Sequence, residues 1–167
     1  MAQSPSLDSR AFRQALAQFG SGVTVVATLD AGGRAQGLTV SAFCSVSLEP
    51  PLVLVCVDKR SETHAAFAHS RLFGVSVLAE HQQDVSQRFA TLGPDKNQFD
   101  FARGTDGTPL VPGAVAQLEC RLHAAHDAGD HRIYVGEVVK VAVNPGRPLL
   151  YHATSYRRLA PDEGPPS

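Results

Sequence analysis

Residues 37–63, GLTVSAFCSVSLEPPLVLVCVDKRSET, decide how the rest of the chain is read. From Gly37 to Ser47 the small hydroxyl residues Thr39, Ser41, Ser45 and Ser47 alternate along an extended run, with Leu38, Val40, Phe43 and Val46 between or beside them. Strand side chains point alternately to two faces, so this spacing yields one polar, uncharged edge. Such an edge suits a planar ligand with an apolar body and a hydrogen-bonding rim. After the LEPP break, Leu52 to Val57 is almost wholly apolar, which predicts a strand buried on both faces. Asp58 to Ser61 then make a turn, and Ser61 and Thr63 open a helical pattern through Ala65, Ala66, Phe67 and Ala68. Hydroxyls beside the free N–H groups of a helix start either cap it or seat a phosphate, and the two roles are compatible. Lys59 and Arg60 add positive charge there.

Before this stretch, VTVVATL (Val23 to Leu29) reads as a strand, and DAGGR turns it into AQGLTVSAF as a hairpin. Asp8 or Ser9 can cap a short amphipathic lid helix with Phe12, Ala15, Leu16 and Phe19 on one face and Gly20 as its stop. Residues 1–10 otherwise read as a flexible N-terminus. After it, Leu72 to Leu78 is a further strand, and HQQDVSQRFATL is a helix with Val85, Phe89 and Leu92 inward. Gly93 to Gly113 reads as a surface loop anchored by Phe99 and Phe101. Ala114 to Ala125 and Ile133 to Val143 are long strands joined by HDAGDHR, and Pro148 to His152 is a last short one. Residues 160–167 read as a disordered tail. Strands and hairpins with few helices, and no βαβ rhythm, predict a mainly β fold: an antiparallel barrel in one domain over residues 11–159.

The 167 residues, 43% of them hydrophobic, suffice for one sizeable core. The 15 basic and 16 acidic residues leave a net charge of −1, which disfavours nucleic-acid binding. No run approaches a membrane span and MAQSPSLDSR lacks the features of a signal peptide, so a soluble cytoplasmic protein is expected. Cys44, Cys56 and Cys120 are odd in number and set in apolar contexts, which predicts buried free thiols, without disulfide or zinc. His123 and His126 form H-x-x-H, but residues three apart on a regular strand face opposite sides and would not converge on a metal. Of the seven histidines, His131 stands out because Gly129 and Asp130 make a tight turn that presents its imidazole at a strand start.

The chain resembles the flavin reductase-like family, short-chain reductases that supply reduced flavin to two-component monooxygenases. The resemblance is carried by FRQALAQFGSGVTVVAT (Phe12 to Thr28), TVSAFCSVSLEPPLVLV (Thr39 to Val55), RSETH (Arg60 to His64), the GDH triplet Gly129 to His131 followed by IYVGEV, and LLYHATSYRRL (Leu149 to Leu159), all in register. It implies a flavin-binding split barrel of Greek-key type, usually a homodimer with the flavin near the subunit interface. It implies that Thr39, Val40, Ser41 and Ala42 line the isoalloxazine with Ser45 nearby. Val57, Asp58 and Lys59 then follow the ribityl and phosphate chain, with the phosphate at Ser61 and Thr63. Arg88, Phe89 and Ala90 match a position that covers the flavin, although the helical spacing of Phe89 also suits the core. His131 is placed on the nicotinamide side, as a positioning residue first. Tyr151 and Tyr156 suit core or interface, and by resemblance Tyr156 borders the nicotinamide; Arg157 and Arg158 either bind dinucleotide phosphate or lie in solvent.

The expected activity is therefore NAD(P)H-dependent reduction of FMN or FAD, with the reduced flavin passed to a partner monooxygenase. No GxGxxG fingerprint follows a strand, so the nicotinamide is expected to stack in an open groove against the flavin. Two alternatives remain at the level of sequence: a flavoprotein with tightly bound flavin reducing another substrate, and a flavin-binding or carrier module without turnover. A relative of the pyridoxamine-phosphate-oxidase type ranks below these, because its basic phosphate-binding residues are not seen at matching positions.

Overall fold

A computed structural model of the chain describes residues 7–91 and 98–160. The expectations for residues 1–6, for Leu92 as a core residue, for the loop start at 93–97 and for the tail at 161–167 fall outside the described residues. In chain order the elements are α1 (Ser9–Ala17), β1 (Ser21–Gly22), β2 (Thr24–Leu29), β3 (Ala35–Val40), β4 (Phe43–Leu48), β5 (Pro51–Asp58), α2 (Glu62–Ala66) and β6 (Leu72–Val77). There follow α3 (Gln83–Ala90), β7 (Ala102–Arg103), β8 (Pro109–Leu110), β9 (Ala116–Ala128), β10 (His131–Val143), β11 (Leu150–His152) and β12 (Ser155–Arg157).

Seven strands form one sheet in the order β3-β2-β6-β9-β10-β5-β4, every neighbour antiparallel. Its first and last strands are consecutive in the chain and joined by Ser41 and Ala42 alone. A sheet with that property must curl until its edges meet, which gives the antiparallel barrel expected from the sequence. Hairpins account for β2–β3, β4–β5 and β9–β10, while β5 and β6, consecutive in the chain, sit apart in the sheet in the Greek-key manner. One core, with Val26, Val55, Val57, Phe67, Phe73 and Tyr134, fills the barrel. A second, with Val25, Leu78, Phe89, Phe101, Val111 and Leu149, lies on its outside under α3. β2 serves both cores, with five of its six residues buried.

Several expectations need correction. The hydroxyl run is two strands, not one: β3 ends at Val40 and β4 pairs with β5 on the other side of the seam. β5 is buried on one face only, through Val53, Val55 and Val57, while Leu52, Leu54 and Cys56 are half-exposed. Ser9 and Arg10, assigned to a flexible start, form the first turn of α1, capped by the Asp8 carboxylate accepting from the Arg10 N–H at 3.0 Å. The helix stops at Ala17, before Gly20, and buries none of its residues; Phe19 beyond it is 81% exposed. The segment after α3 is more than a loop, since β7 pairs with β8, and Phe99 and Phe101 do anchor it, edge-to-face with each other at 4.8 Å and packed on Phe89. Of the cysteines, Cys120 is buried, Cys56 half-buried and Cys44 exposed. His123 sits at a bulge where β9 slips against β10, so strict alternation fails there, and both His123 and His126 are exposed.

Candidate functional site

The seam between β3 and β4 opens a cleft of about 220 Å³ lined by Val23, Thr39, Ser41, Ser86, Ala90, Tyr151 and Tyr156. No charged side chain is among them. α3 forms one wall, and it lies close because residue 37 is glycine: a Cβ there would stand 2.7 Å from the Phe89 ring. Two hydrogen bonds fix the wall. The Thr39 hydroxyl donates to the Ser86 carbonyl at 2.6 Å, and the Ser86 and Tyr156 hydroxyls share a bond of 2.8 Å. Tyr151 packs edge-to-face on Tyr156 at 5.3 Å. The result is a rigid slot with aromatic sides and hydroxyl rims, suited to a flat, uncharged ring.

On the far side of Ser41, the Ala42 carbonyl accepts from the Cys56 N–H at 3.1 Å, which ties the cleft to β5. Two residues further, about 7 Å along a strand, Asp58 pairs in register with His131. Here the β5–α2 turn meets the β9–β10 turn. Gly129 takes φ +63°, which glycine tolerates without strain, and makes the two-residue turn that ends in Asp130. The Asp130 carboxylate lies 2.8 Å from His131 Nδ1, and that bond is the main cause holding its pKa below the ordinary value. An ionised carboxylate can only accept, so Nδ1 carries the proton, and Nε2 has no hydrogen bond among the described residues.

Asp58 receives the Arg60 backbone N–H at 2.8 Å and its guanidinium at 2.7 Å, and these bonds, the side-chain one foremost, hold its carboxyl far below the usual range. Lys59 turns to the Gly129 carbonyl at 2.9 Å and to Asp127 at 3.6 Å, so its charge faces the neighbouring turn. Ser61 is the N-cap of α2: its hydroxyl accepts from the His64 N–H at 3.1 Å and donates to the Asp58 carbonyl at 2.8 Å. The N–H groups of Glu62 and Thr63, which an α-helix leaves unpaired at its start, have no bond among the described residues.

The structure therefore gathers Thr39, Ser41, Ala90 and Tyr156 around one cleft, with Ala42 beside it. It places Asp58, Lys59, Ser61 and His131 together at the adjoining turns. Ser45 is exposed on β4. Four assignments need correction at the level of side chains. Val40 and Val57 point into the barrel core and Thr63 is 2% exposed, which leaves their backbone to meet a ligand, while the Phe89 ring is fully buried in the outer core as its helical spacing predicts. Arg88 is exposed, its guanidinium 5.9 Å from the centroid of the Phe99 ring rather than over the cleft. Ser86 was missed; it lies three and four residues before Phe89 and Ala90, and that helical spacing marks the shared face. His64 was passed over too: its Nδ1 is 2.8 Å from the Tyr134 hydroxyl, and Tyr134 in turn stacks on Phe67 at 4.0 Å. A larger opening of about 620 Å³, between α1 and Ala153–Thr154, contains none of these residues.

The sequence profile of the flavin reductase like domain matches residues 16–160. The FMN reductase (NADH) of Agrobacterium fabrum is 43% identical over 153 residues, 92% of this chain and 87% of that protein. The reductase component of 4-hydroxyphenylacetate 3-monooxygenase of Thermus thermophilus is 45% identical over 150 residues, 89% of this chain and 95% of that protein. A solved structure of the NADH:FAD oxidoreductase of Streptomyces globisporus, in complex with NAD and FAD fragments, superposes with a TM-score of 0.87 at 37% identity, covering 97% of this chain and 99% of that one.

Proposed function

The chain belongs to the flavin reductase-like family, and from that premise we propose how its residues carry out the family's reaction. The protein is an NAD(P)H-dependent flavin reductase that passes hydride from nicotinamide to FMN or FAD and supplies the reduced flavin to a partner monooxygenase. The observation that carries the reading at the level of residues is the uncharged cleft at the β3–β4 seam, flanked by the His131 turn. Its rim hydroxyls and aromatic sides fit an isoalloxazine. Flavin, when bound, supplies the ring that accepts the hydride, and that transfer needs close stacking rather than a protein base.

Ser41 and the backbone of Val40 and Ala42 then meet the ring's polar edge without burying a charge. Tyr156 borders the ring face, fixed by Ser86. The flavin's proximal phosphate goes to the Glu62 and Thr63 N–H groups, with Ser61 shaping the turn by its cap. His131 presents Nε2 to the dinucleotide, oriented and held protonated at Nδ1 by Asp130. We assign these roles to one domain, residues 11–159. Its working form in our reading is a homodimer, supported by the apolar residues left on the outside: Leu48 is 90% and Val143 80% exposed, with Val139 and Val141 beside Val143 on the same strand. We assign it to the cytoplasm, where the exposed Cys44 thiol would persist reduced; no helix among the described residues is long and apolar enough to cross a membrane.

The test is absorbance at the nicotinamide band while NADH, then NADPH, is mixed with the protein and FMN, FAD or riboflavin. Flavin-dependent oxidation is expected, and its absence with all three flavins would overturn the reading. Ser61→Ala should weaken FMN binding in the same assay, through the lost cap.

A further inference from the structure

A second cavity, of about 300 Å³, lies beside the ring cleft, and Tyr156 lines both. Its other walls are Glu80, Gln83, Leu149, Arg157 and Arg158. We propose that this cavity is the phosphate subsite for the nicotinamide dinucleotide, the nicotinamide lying across Tyr156 in the ring cleft and the pyrophosphate on Arg157 and Arg158. The proposal rests on the reductase reading above and adds to it the residues that select the second substrate.

Charge supports it first. Neither Arg157 nor Arg158 has an ion pair or side-chain hydrogen bond among the described residues. The one carboxylate lining the cavity, Glu80, is faced by a third arginine, Arg147, at 4.0 Å. Among the described residues the cavity therefore keeps two uncommitted guanidinium groups, the side chain best matched to phosphate oxygens. Preorganisation supports it next. The segment is tied before the arginines by β12 pairing with β11, Tyr156 opposite Tyr151, and after them by the Arg147 guanidinium donating to the carbonyls of Leu159 and Ala160. Tyr156 itself is held by the buried Ser86. The arginines are thus presented from a fixed strand end, one residue from the aromatic wall of the ring site, so a dinucleotide with one end on the ring would bring its phosphates to them.

The test is steady-state kinetics of Arg157→Gln/Arg158→Gln with FMN as the flavin, beside the unaltered protein; both side chains are exposed, so the fold is retained. The unaltered protein must first oxidise NADH with flavin, which decides the reductase reading by itself. The subsite predicts a KM for NADH raised about tenfold or more, the scale of losing charge-assisted bonds, against less than threefold change in kcat and in the Kd of FMN. ADP should inhibit competitively against NADH in the unaltered protein, and that inhibition should be lost in the double variant. An unchanged KM for NADH overturns the proposal. So does a raised Kd for FMN or FAD with KM for NADH unmoved, which would give the cavity to the flavin's own phosphates.

Discussion

At the scale of single residues, the site separates groups that hold ligand from groups that hold one another. His131→Ala removes Nε2 while leaving the seam intact. It should raise the KM for NADH about five- to tenfold, the worth of one hydrogen bond, and leave the Kd of FMN within about twofold, as read by flavin fluorescence. The reverse pattern would move His131 to the flavin. Cys120 makes a separate prediction. Burial first, and the Glu119 charge second, push its thiol from 9.0 up to about 12. An unfolded chain would release that proton above pH 9 while the folded one retains it. Stability is thus complete below pH 9 and falls as pH rises towards 12, by up to about 1.4 kcal/mol per pH unit. Denaturant titrations across that range should show the slope, and Cys120→Ala should flatten it. Local features were legible where chemistry and spacing coincided, as in the Ser61 cap of α2 and the tight turn of Gly129 and Asp130 before His131. They were not legible where only packing decides. Val40 and Val57 belong to a matching motif, yet alternation turns their side chains inward, and helical spacing marks the face of Ser86 but not its long-range bond to Tyr156.

At the scale of elements, the close approach of α3 to β3 sets the width of the cleft. Gly37→Ala would place a methyl carbon 2.7 Å from the Phe89 ring, so α3 must shift outward. Overpacking of this kind costs about 1–3 kcal/mol; thermal unfolding should register it, and FMN binding should weaken together with the loss of the Thr39–Ser86 bond. The β2–β3 and β9–β10 hairpins were legible because a glycine-bearing turn separates two strand-like runs, and α3 because its apolar residues keep helical phase. The break of the hydroxyl run at Ser41–Ala42 was not, since no proline or glycine marks it. Closure of the barrel imposes the break: two strands on opposite edges of a sheet cannot be one extended run. β12 escaped for a related reason, being three residues long and defined by its partner β11 rather than by its own pattern.

At the scale of the whole molecule, the proposed homodimer draws on apolar residues that are exposed among the described ones. Val139, Val141 and Val143 occur at alternate positions on the outer end of β10, and Leu48 ends β4. If this surface joins two copies, Val141→Asp should shift the sedimentation profile from dimer towards monomer, and flavin affinity should fall with it; a profile that stays put would remove that surface from the interface. Barrel class was within reach of the sequence because hairpins join β2–β3, β4–β5 and β9–β10, but the strand order was not, because β2–β6, β6–β9 and β5–β10 pair segments far apart in the chain. Which outer faces stay bare was not either, because only curvature and pairing decide which residues turn inward. The seam has one more consequence. Where β3 and β4 part, their backbone amides lack a neighbouring strand, so a bound ring would act as a clasp across the gap. Deuterium uptake around Ser41 to Ser45 should therefore slow on adding FMN, while the interior of β2, already shielded from both sides, should not change.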